Sequence, residues 1–273
     1  MSRVPDAQAQ TVWPARIGWA VLNALQLIYT IAWTAGCIVL ALIVKGLGGG
    51  RVDRPLRMAA RLWAPGLLLG AGAKLCVEGL ERVDFSRPHV FVANHQSMID
   101  ICVLFRALPV PLRFVLKEEL RKVPFIGWYA HAMGMVFIER SRTREAARRL
   151  HRAVSLVRRG ASLCAFPEGT RSRDGSVRPF RGGAFQVAIE AGVSVVPVAI
   201  TGSGAVLPPA GFRVRPGTIT LRIGDPIPAN GLQPHERQAL ARRVHDAVAA
   251  MLTIGTASAS CRAQYPAAWR DYR

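Results

Sequence analysis

The chain has 273 residues, with 36 Lys and Arg against 17 Asp and Glu, a net charge of +19 and 51% hydrophobic residues. The apolar share excludes a disordered basic tail, because such chains are poor in apolar residues. Charges that recur along most of the sequence argue against a many-helix transporter. A basic chain that is also rich in apolar residues indicates an anionic membrane surface or anionic substrates as partners, with nucleic acid as the competing alternative.

An uncharged stretch opens the chain, at residues 17–44 between Arg16 and Lys45. As a helix it is about 42 Å long, which is enough to cross a hydrocarbon core of about 30 Å. A signal peptide is the alternative, but its apolar region is shorter and ends in a small-residue cleavage site. We therefore predict a retained membrane helix. Basic residues are denser after this stretch than before it, which places the rest of the chain in the cytoplasm, at the inner membrane.

A second apolar run, residues 62–73, is too short to span a membrane and contains Pro65. Two interpretations stay open. The run is either an interfacial helix, such as half of a re-entrant hairpin, or a packing helix of the soluble domain. A hairpin would make the chain monotopic and would change the orientation argument.

From residue 74 onward short β-rich runs alternate with helical patterns, and this alternation predicts an α/β fold. We expect a largely parallel or mixed sheet that is covered by helices and follows an N-terminal membrane-embedded helical segment. The predicted strands are residues 74–83, 89–93, 133–138, 162–166, 193–200 and 218–223, and the clearest helices are 143–159 and 234–252. The predicted organisation is a tail and membrane helix at 1–52, an interfacial or packing helix at 53–73, an α/β domain at 74–254 and a tail at 255–273.

The first candidate motif is NHQSMID, residues 94–100, directly after the apolar run 90–93. Side chains at the end of such a strand reach the carboxyl edge of the sheet, where ligands of open α/β sheets bind. His95 is a natural general base. Asp100 can reach back to its ring if His95 precedes the helix and Asp100 lies in the first turn. The alternative is that Ser97 and Asp100 form a capping box, which needs no catalysis.

The second motif is FPEGTRS, residues 166–172, which also follows an apolar run. Gly169 permits a tight turn, Thr170 and Ser172 offer hydroxyls, and Arg171 offers a guanidinium fork. This set suits a phosphate or another oxyanion, and an ordinary polar loop is the alternative.

Two further motifs are weaker. GMVFIER, residues 134–140, ends in Arg140, which could supply a second cation for the same anion. VVPV, residues 195–198, is an apolar strand in which Pro197 indicates an edge or a bulge, with plain packing as the alternative. The five cysteines and the histidines lack ligand spacing, so we predict neither a metal site nor a disulfide scaffold.

NHQSMID, GMVFIER, FPEGTRS and VVPVAI, in that order, resemble the four motifs of the glycerolipid acyltransferases. The nearest family is the 1-acyl-glycerol-3-phosphate (lysophosphatidate) acyltransferases. The resemblance covers residues 74–228 and includes KEELRKVPFIGW at 117–128. One departure is Glu139, where the family more often has Asp.

The resemblance implies transfer of an acyl chain from acyl-CoA or acyl carrier protein to the free sn-2 hydroxyl of 1-acyl-glycerol-3-phosphate, giving phosphatidic acid. Another lysolipid, such as lyso-ornithine lipid, is the alternative acceptor. His95 would be the general base and Asp100 would orient it. The residues implied for the acceptor phosphate and its pocket are Lys117, Arg140, Glu168, Gly169, Thr170, Arg171 and Pro197.

Neither a covalent nucleophile nor a metal is implied, and the acyl donor is a substrate, so no cofactor is expected. The expected partners are a lysophospholipid acceptor, an acyl thioester donor, an anionic membrane surface and acyl carrier protein as one of the two donor types. Nucleic acid is not expected. A non-enzymatic protein that binds anionic lipid or nucleic acid remains the alternative of another class, because it needs only the net charge.

Overall fold

The structure, a computed structural model, describes residues 12–138 and 143–254. The uncharged stretch forms helix α1, Val12–Leu47, as predicted. By length and composition alone, its portion Ile17–Leu47 could cross a membrane, and no other helix in the described ranges meets that test. Only 17% of its most apolar window is buried against the rest of the protein.

The second apolar run folds back along α1. Helix α2, Asp53–Met58, continues through a π-helical turn, Ala59–Trp63, into helix α3, Ala64–Gly70. Pro65 lies in the first turn of α3, where a helix tolerates the missing N–H. We call residues 12–70 the helical hairpin.

Polar side chains of α1 bind carbonyl groups of the returning helices. Gln26 Nε2 donates to the Gly70 carbonyl at 3.2 Å, and Tyr29 Oη donates to the Gly66 carbonyl at 3.0 Å. The approach is close, since a Cβ at Gly66 would lie 2.4 Å from the Trp33 ring. Leu68 of the same run is buried and Leu69 is 82% exposed. The run therefore packs against the protein on one side and presents an apolar residue outward on another.

A seven-stranded sheet follows, in the order β1-β7-β6-β2-β5-β3-β4. The strands are β1 Ala73–Glu78, β2 Val90–Ala93, β3 Leu112–Lys117, β4 Val136–Ile138, β5 Ser162–Ala165, β6 Val195–Thr201 and β7 Gly217–Ile223. Neighbouring strands are parallel except β6 and β7, which are antiparallel. The predicted mixed sheet is therefore confirmed, with β1 and β7 opposed to the other five strands.

Two details differ from the sequence-based prediction. Strand β3 was not predicted, because Arg113 and Lys117 interrupt its apolar residues. The first predicted strand, 74–83, ends at Glu78, since a 3-10 turn at Leu80–Arg82 carries the chain out of the sheet.

Helices cover both faces of the sheet. They are α4 Ile99–Ala107, α5 Ile126–Ala132, α6 Thr143–Arg158, α7 Gly183–Ala191, α8 Ser203–Val206 and α9 Arg237–Thr253. Alternate residues of β2 reach different cores: Phe91 and Ala93 pack with the hairpin, α4 and α5, whereas Val90 and Val92 pack with α6, α7 and α9. The carboxyl ends of β2, β5 and β6 meet at one edge between these two layers.

Candidate active site

Asn94 fixes the point at which β2 leaves the sheet. Its side-chain amide donates from Nδ2 to the Ile200 carbonyl at 2.9 Å, and its Oδ1 accepts the Ile200 N–H at 2.8 Å. The side chain is buried and links β2 to β6 at their carboxyl ends. Sequence reasoning gave Asn94 no role, although an amide next to a predicted strand end was the available signal.

His95 and Asp100 come together at this edge. Asp100 lies in the first turn of α4, and its Oδ2 lies 2.8 Å from His95 Nδ1. The same oxygen accepts the backbone N–H groups of Gln96 and Ser97, each at 2.8 Å. Asp100 is fully buried, so its charge is stabilised by these donors rather than by water. With Nδ1 paired to the carboxylate, Nε2 is the basic atom of the ring.

The capping interpretation also holds in part. Asp100 accepts the N–H of Ser97, which is one half of a capping box. The Ser97 hydroxyl donates to the carbonyl of Leu207 at 2.6 Å and accepts the N–H of Ile99, the first residue of α4, at 3.3 Å. Asp100 therefore orients His95 while Ser97 binds the start of α4, so the two interpretations are compatible.

The second motif holds the backbone of His95 from the other side. Glu168 Oε1 accepts the His95 N–H at 2.8 Å, and the Ser172 N–H donates to the His95 carbonyl at 2.7 Å. Glu168 Oε2 accepts the Arg178 N–H at 3.1 Å. Burial raises the pKa of Glu168, since desolvation penalises its charged form. Both carboxyl oxygens thus bind backbone N–H groups, and the place of Glu168 in the acceptor-phosphate site stays a prediction.

Phe166 completes the support of the histidine. Its ring stacks on the imidazole of His95 with centroids 3.9 Å apart and planes 16° apart. The His95 side chain keeps 14% of its surface exposed, so one edge of the ring remains accessible. Sequence reasoning missed this stacking, because the two residues belong to different motifs.

The remainder of the second motif is an accessible, cationic loop. Gly169, at φ +72°, closes a turn by donating its N–H to the Phe166 carbonyl at 3.0 Å. Thr170 is exposed and Arg171 is half-buried, and within the described residues neither side chain has a hydrogen-bond or ion-pair partner. The loop is braced further along by Asp174, whose pKa is lowered to about 2 by hydrogen bonds from Ser176 and Ser172.

The other predicted site residues are more dispersed. Lys117 is exposed at the end of β3, in register with Ile138 of β4. Arg140 and Glu139 lie outside the described residues. Pro197 is buried on the face of β6 that points away from the helical hairpin, and its carbonyl accepts the Gly224 N–H at 2.9 Å. The structure therefore does not bring Pro197 to the histidine side of the sheet, and its assigned role stays a prediction.

An apolar cavity of about 290 Å³ lies between the hairpin and the sheet. Met98, three positions after His95, lines it, as does Leu207, whose carbonyl binds Ser97. Helix α1 contributes Thr30 to Ala41 on one wall, a length of about 16 Å. The walls come from separate segments, so no local sequence signal revealed the cavity. No group of three potential metal ligands occurs among the residues that the structure describes.

Comparison with known proteins agrees with this geometry. The acyltransferase family model matches residues 74–201. The chloroplastic 1-acyl-sn-glycerol-3-phosphate acyltransferase LPAT1 of Arabidopsis thaliana is 38% identical over 62% of this chain and 47% of its own length. Human 1-acyl-sn-glycerol-3-phosphate acyltransferase alpha is 31% identical over 81% of this chain and 77% of its own. The chain thus spans less than half of the plant relative and about three quarters of the human one.

A solved structure extends the similarity to the fold. The crystal structure of the 1-acyl-sn-glycerophosphate (LPA) acyltransferase PlsC from Thermotoga maritima superposes with a TM-score of 0.73. The sequence identity is 27%, and the superposition covers 87% of this chain and 95% of that one. The coverage of both chains shows that their overall architecture is shared.

Proposed function

This chain belongs to the 1-acyl-sn-glycerol-3-phosphate acyltransferase family, and from that premise we propose that it acylates the sn-2 hydroxyl of 1-acyl-glycerol-3-phosphate, giving phosphatidic acid. The observation that carries this proposal is the His95–Asp100 pair, whose intervening residues Met98 and Ile99 line an apolar cavity. A lipid hydroxyl is a poor nucleophile at neutral pH, so a positioned base is the chemistry that the reaction needs.

The proposed reaction is a direct transfer. His95 Nε2 accepts the hydroxyl proton as the hydroxyl oxygen attacks the thioester carbonyl. The tetrahedral intermediate then collapses, the C–S bond breaks, and the proton passes from the imidazolium to the departing thiolate. Asp100 stabilises the imidazolium and holds the ring with Nε2 outward. No covalent acyl-enzyme forms, which is consistent with the absence of a G-x-S-x-G motif from the sequence.

We assign the acceptor phosphate to the loop that supports His95. Arg171 is half-buried without an ion pair among the described residues, and Thr170 beside it has an exposed hydroxyl. A guanidinium in that state suits a bidentate contact with a phosphate. Because the same loop binds the His95 backbone through Glu168, it would set the distance between phosphate and base.

We assign the apolar cavity to an acyl chain. Its lining is almost wholly apolar and includes Met98 and Ile99 of the catalytic motif. The donor headgroup, coenzyme A or acyl carrier protein, would remain outside, where exposed Lys and Arg side chains can meet an anionic partner.

We further propose that the protein sits at the inner membrane with its catalytic domain in the cytoplasm. Five residues between Thr30 and Ala41 line the cavity, so one face of this part of α1 packs on the catalytic domain and does not contact lipid. That packing favours a hairpin embedded in one leaflet over a spanning helix. A monotopic hairpin keeps both of its ends on the cytoplasmic side. Its orientation therefore does not depend on the distribution of basic residues around α1.

Purified protein in vesicles, offered acyl-CoA and acyl carrier protein donors and a panel of lysolipid acceptors, tests this function. We expect transfer to lysophosphatidate that is lost in a folded His95→Ala variant. Wild-type rates in that variant, or no transfer to any acceptor, would contradict the proposal. Preference for lyso-ornithine lipid would keep the chemistry and change the acceptor.

A further inference from the structure

An exposed apolar segment lies beside the cavity and has no place in the mechanism. The segment Val123–Trp128 follows the 3-10 turn Glu118–Lys122 and includes the first three residues of α5. The exposed fractions are 39% for Phe125, 39% for Ile126 and 58% for Trp128. Contiguous apolar exposure of this kind marks an interaction site on a folded protein.

The segment has a defined conformation that presents these side chains. Phe125 has φ +61°, a positive value that no other non-glycine residue shares in the described ranges. A bulky residue in this region is unusual and persists where surrounding structure imposes it. The Gly127 N–H donates to the Val123 carbonyl at 2.8 Å, which closes the turn. The Phe125 and Trp128 rings lie 5.2 Å apart and form one aromatic surface.

The segment is also a wall of the acyl cavity. Ile126 and Tyr129 line that cavity together with Thr34 and Ile38 of α1, and α5 packs against α1. Helix α1 also presents exposed apolar side chains, among them Ile28 and Ile31. Because α5 packs against α1, the segment lies next to the helix that presents these side chains.

Charges near the segment suit an anionic surface. Lys117, Arg121 and Lys122 are exposed just before it. Glu118 is already paired, with Arg121 at 3.3 Å and Arg149 at 3.2 Å, and only Glu119 adds an exposed negative charge. Aromatic residues beside basic ones are typical of segments that lie at the boundary between headgroups and acyl chains.

We propose that Val123–Trp128 is a second membrane contact, seated in the interface of an anionic bilayer. In this position the cavity faces the lipid between the segment and α1, and an acyl chain enters sideways from the bilayer. The membrane contact stands on the geometry alone. The route of acyl entry rests on the function proposed above.

Brominated lipids test the contact directly. Full-length protein is placed in vesicles of phosphatidylglycerol and phosphatidylethanolamine with brominated acyl chains, and tryptophan fluorescence of the wild type is compared with that of Trp128→Phe. We expect the difference spectrum, which isolates Trp128, to be blue-shifted and quenched by bromine near the headgroup. A difference spectrum that is water-like and unquenched would overturn the proposal.

The matched control places a tryptophan on a different surface of the protein. Ile254 is 60% exposed at the end of α9, on the sheet face opposite the hairpin. The variant Trp128→Phe with Ile254→Trp should show no bromine quenching beyond that of Trp128→Phe alone. Equal quenching at position 254 would mean that quenching is unspecific, which would also count against the contact.

A separate kinetic measurement tests the proposed route of acyl entry. Trp128→Glu should lower kcat/KM about tenfold for vesicle-borne long-chain substrates, because a charge replaces a seated aromatic ring. The rate with short-chain, water-soluble substrates should change less than about twofold, because these need no lateral entry. An equal loss with both substrate types would overturn lateral entry. If no substrate is acylated by the wild type, the proposed function fails while the fluorescence still decides the membrane contact.

Discussion

Glu168 binds the backbone N–H of His95 at 2.8 Å across a sequence separation of 73 residues. The same loop returns to the His95 carbonyl through the N–H of Ser172. His95 is therefore held by its main chain as well as by its ring. Any movement of the second motif must move His95 with it.

Glu168→Gln should weaken this support. Glu168 accepts two N–H groups, whereas an amide keeps one acceptor and turns a donor toward the other N–H. We expect a loss of about 1–3 kcal/mol in the free energy of unfolding, together with a lower kcat. Denaturation of the purified variants measures the free energy of unfolding, with the substitution Glu119→Gln at an exposed position as the control. Wild-type stability and kcat in Glu168→Gln would contradict the positioning role.

The pH dependence of stability provides a second test of Glu168. The pKa of Glu168 is raised in the folded protein, so Glu168 stabilises the fold fully at pH values below the ordinary pKa of a glutamate. This stabilisation is lost as the pH rises through the folded pKa. Wild-type stability should therefore fall relative to Glu168→Gln as pH rises through this window. Parallel stability curves for the two proteins would show that Glu168 has no raised pKa.

Asp100→Asn should separate charge from geometry. The amide oxygen can replace Oδ2 and still accept the N–H groups of Gln96 and Ser97, but the negative charge is lost. We expect kcat to fall by about 10²–10⁴ with little change in melting temperature. Asp100→Ala, which removes the acceptor as well, should melt well below both. A kcat near that of the wild type in Asp100→Asn would show that imidazolium stabilisation is unnecessary.

Arg171→Ala should affect the acceptor more than the chemistry. Removing a bidentate phosphate contact should raise KM for lysophosphatidate about tenfold to a hundredfold. A phosphate-free lysolipid should show no such change. Arg173→Ala is the matched control, since Arg173 is exposed in the same loop. Equal effects of the two substitutions, or an unchanged KM in Arg171→Ala, would remove Arg171 from the phosphate site.

Ala41→Phe should shorten the cavity. Ala41 is 2% exposed and lines the cavity at the last α1 position that does so, and Met98 of the His95 motif lines it as well. A phenyl group there should shift the preference toward shorter acyl chains, as measured by competition between donors of different length. Ala20→Phe, on an exposed part of α1, should leave the preference unchanged. An unaltered preference in Ala41→Phe would place the acyl chain elsewhere.

Local pattern was enough to predict most strands, and it offered the pairing of His95 with Asp100 as one of two interpretations, beside a capping box. Apolar runs such as 90–93 mark buried strands, and a spacing of five residues suffices when a helix begins between two side chains. Strand β3 was not predicted, because Arg113 and Lys117 interrupt its run of apolar residues. The reversal of β1 and β7 also escaped it, since strand direction depends on the connections rather than on composition.

Contacts between distant segments could not be predicted in the same way. Glu168 looked like part of a phosphate loop, and only the register of β2 against β5 brings it to the backbone of His95. The stacking of Phe166 on His95 depends on the same register. The cavity is the extreme case, because its walls come from segments between Thr30 and Val214.

The shared wall of the cavity also means that anchor and enzyme are not separable modules. Deleting α1 would not release a soluble catalytic domain. It would remove the side of the cavity that runs from Thr30 to Ala41 and expose Phe105 and Tyr129 to water. The polar groups that Gln26 and Tyr29 satisfy on α3 would lose their partners at the same time. Engineering a water-soluble version would therefore have to retain α1 and replace only its outward-facing apolar residues with polar ones.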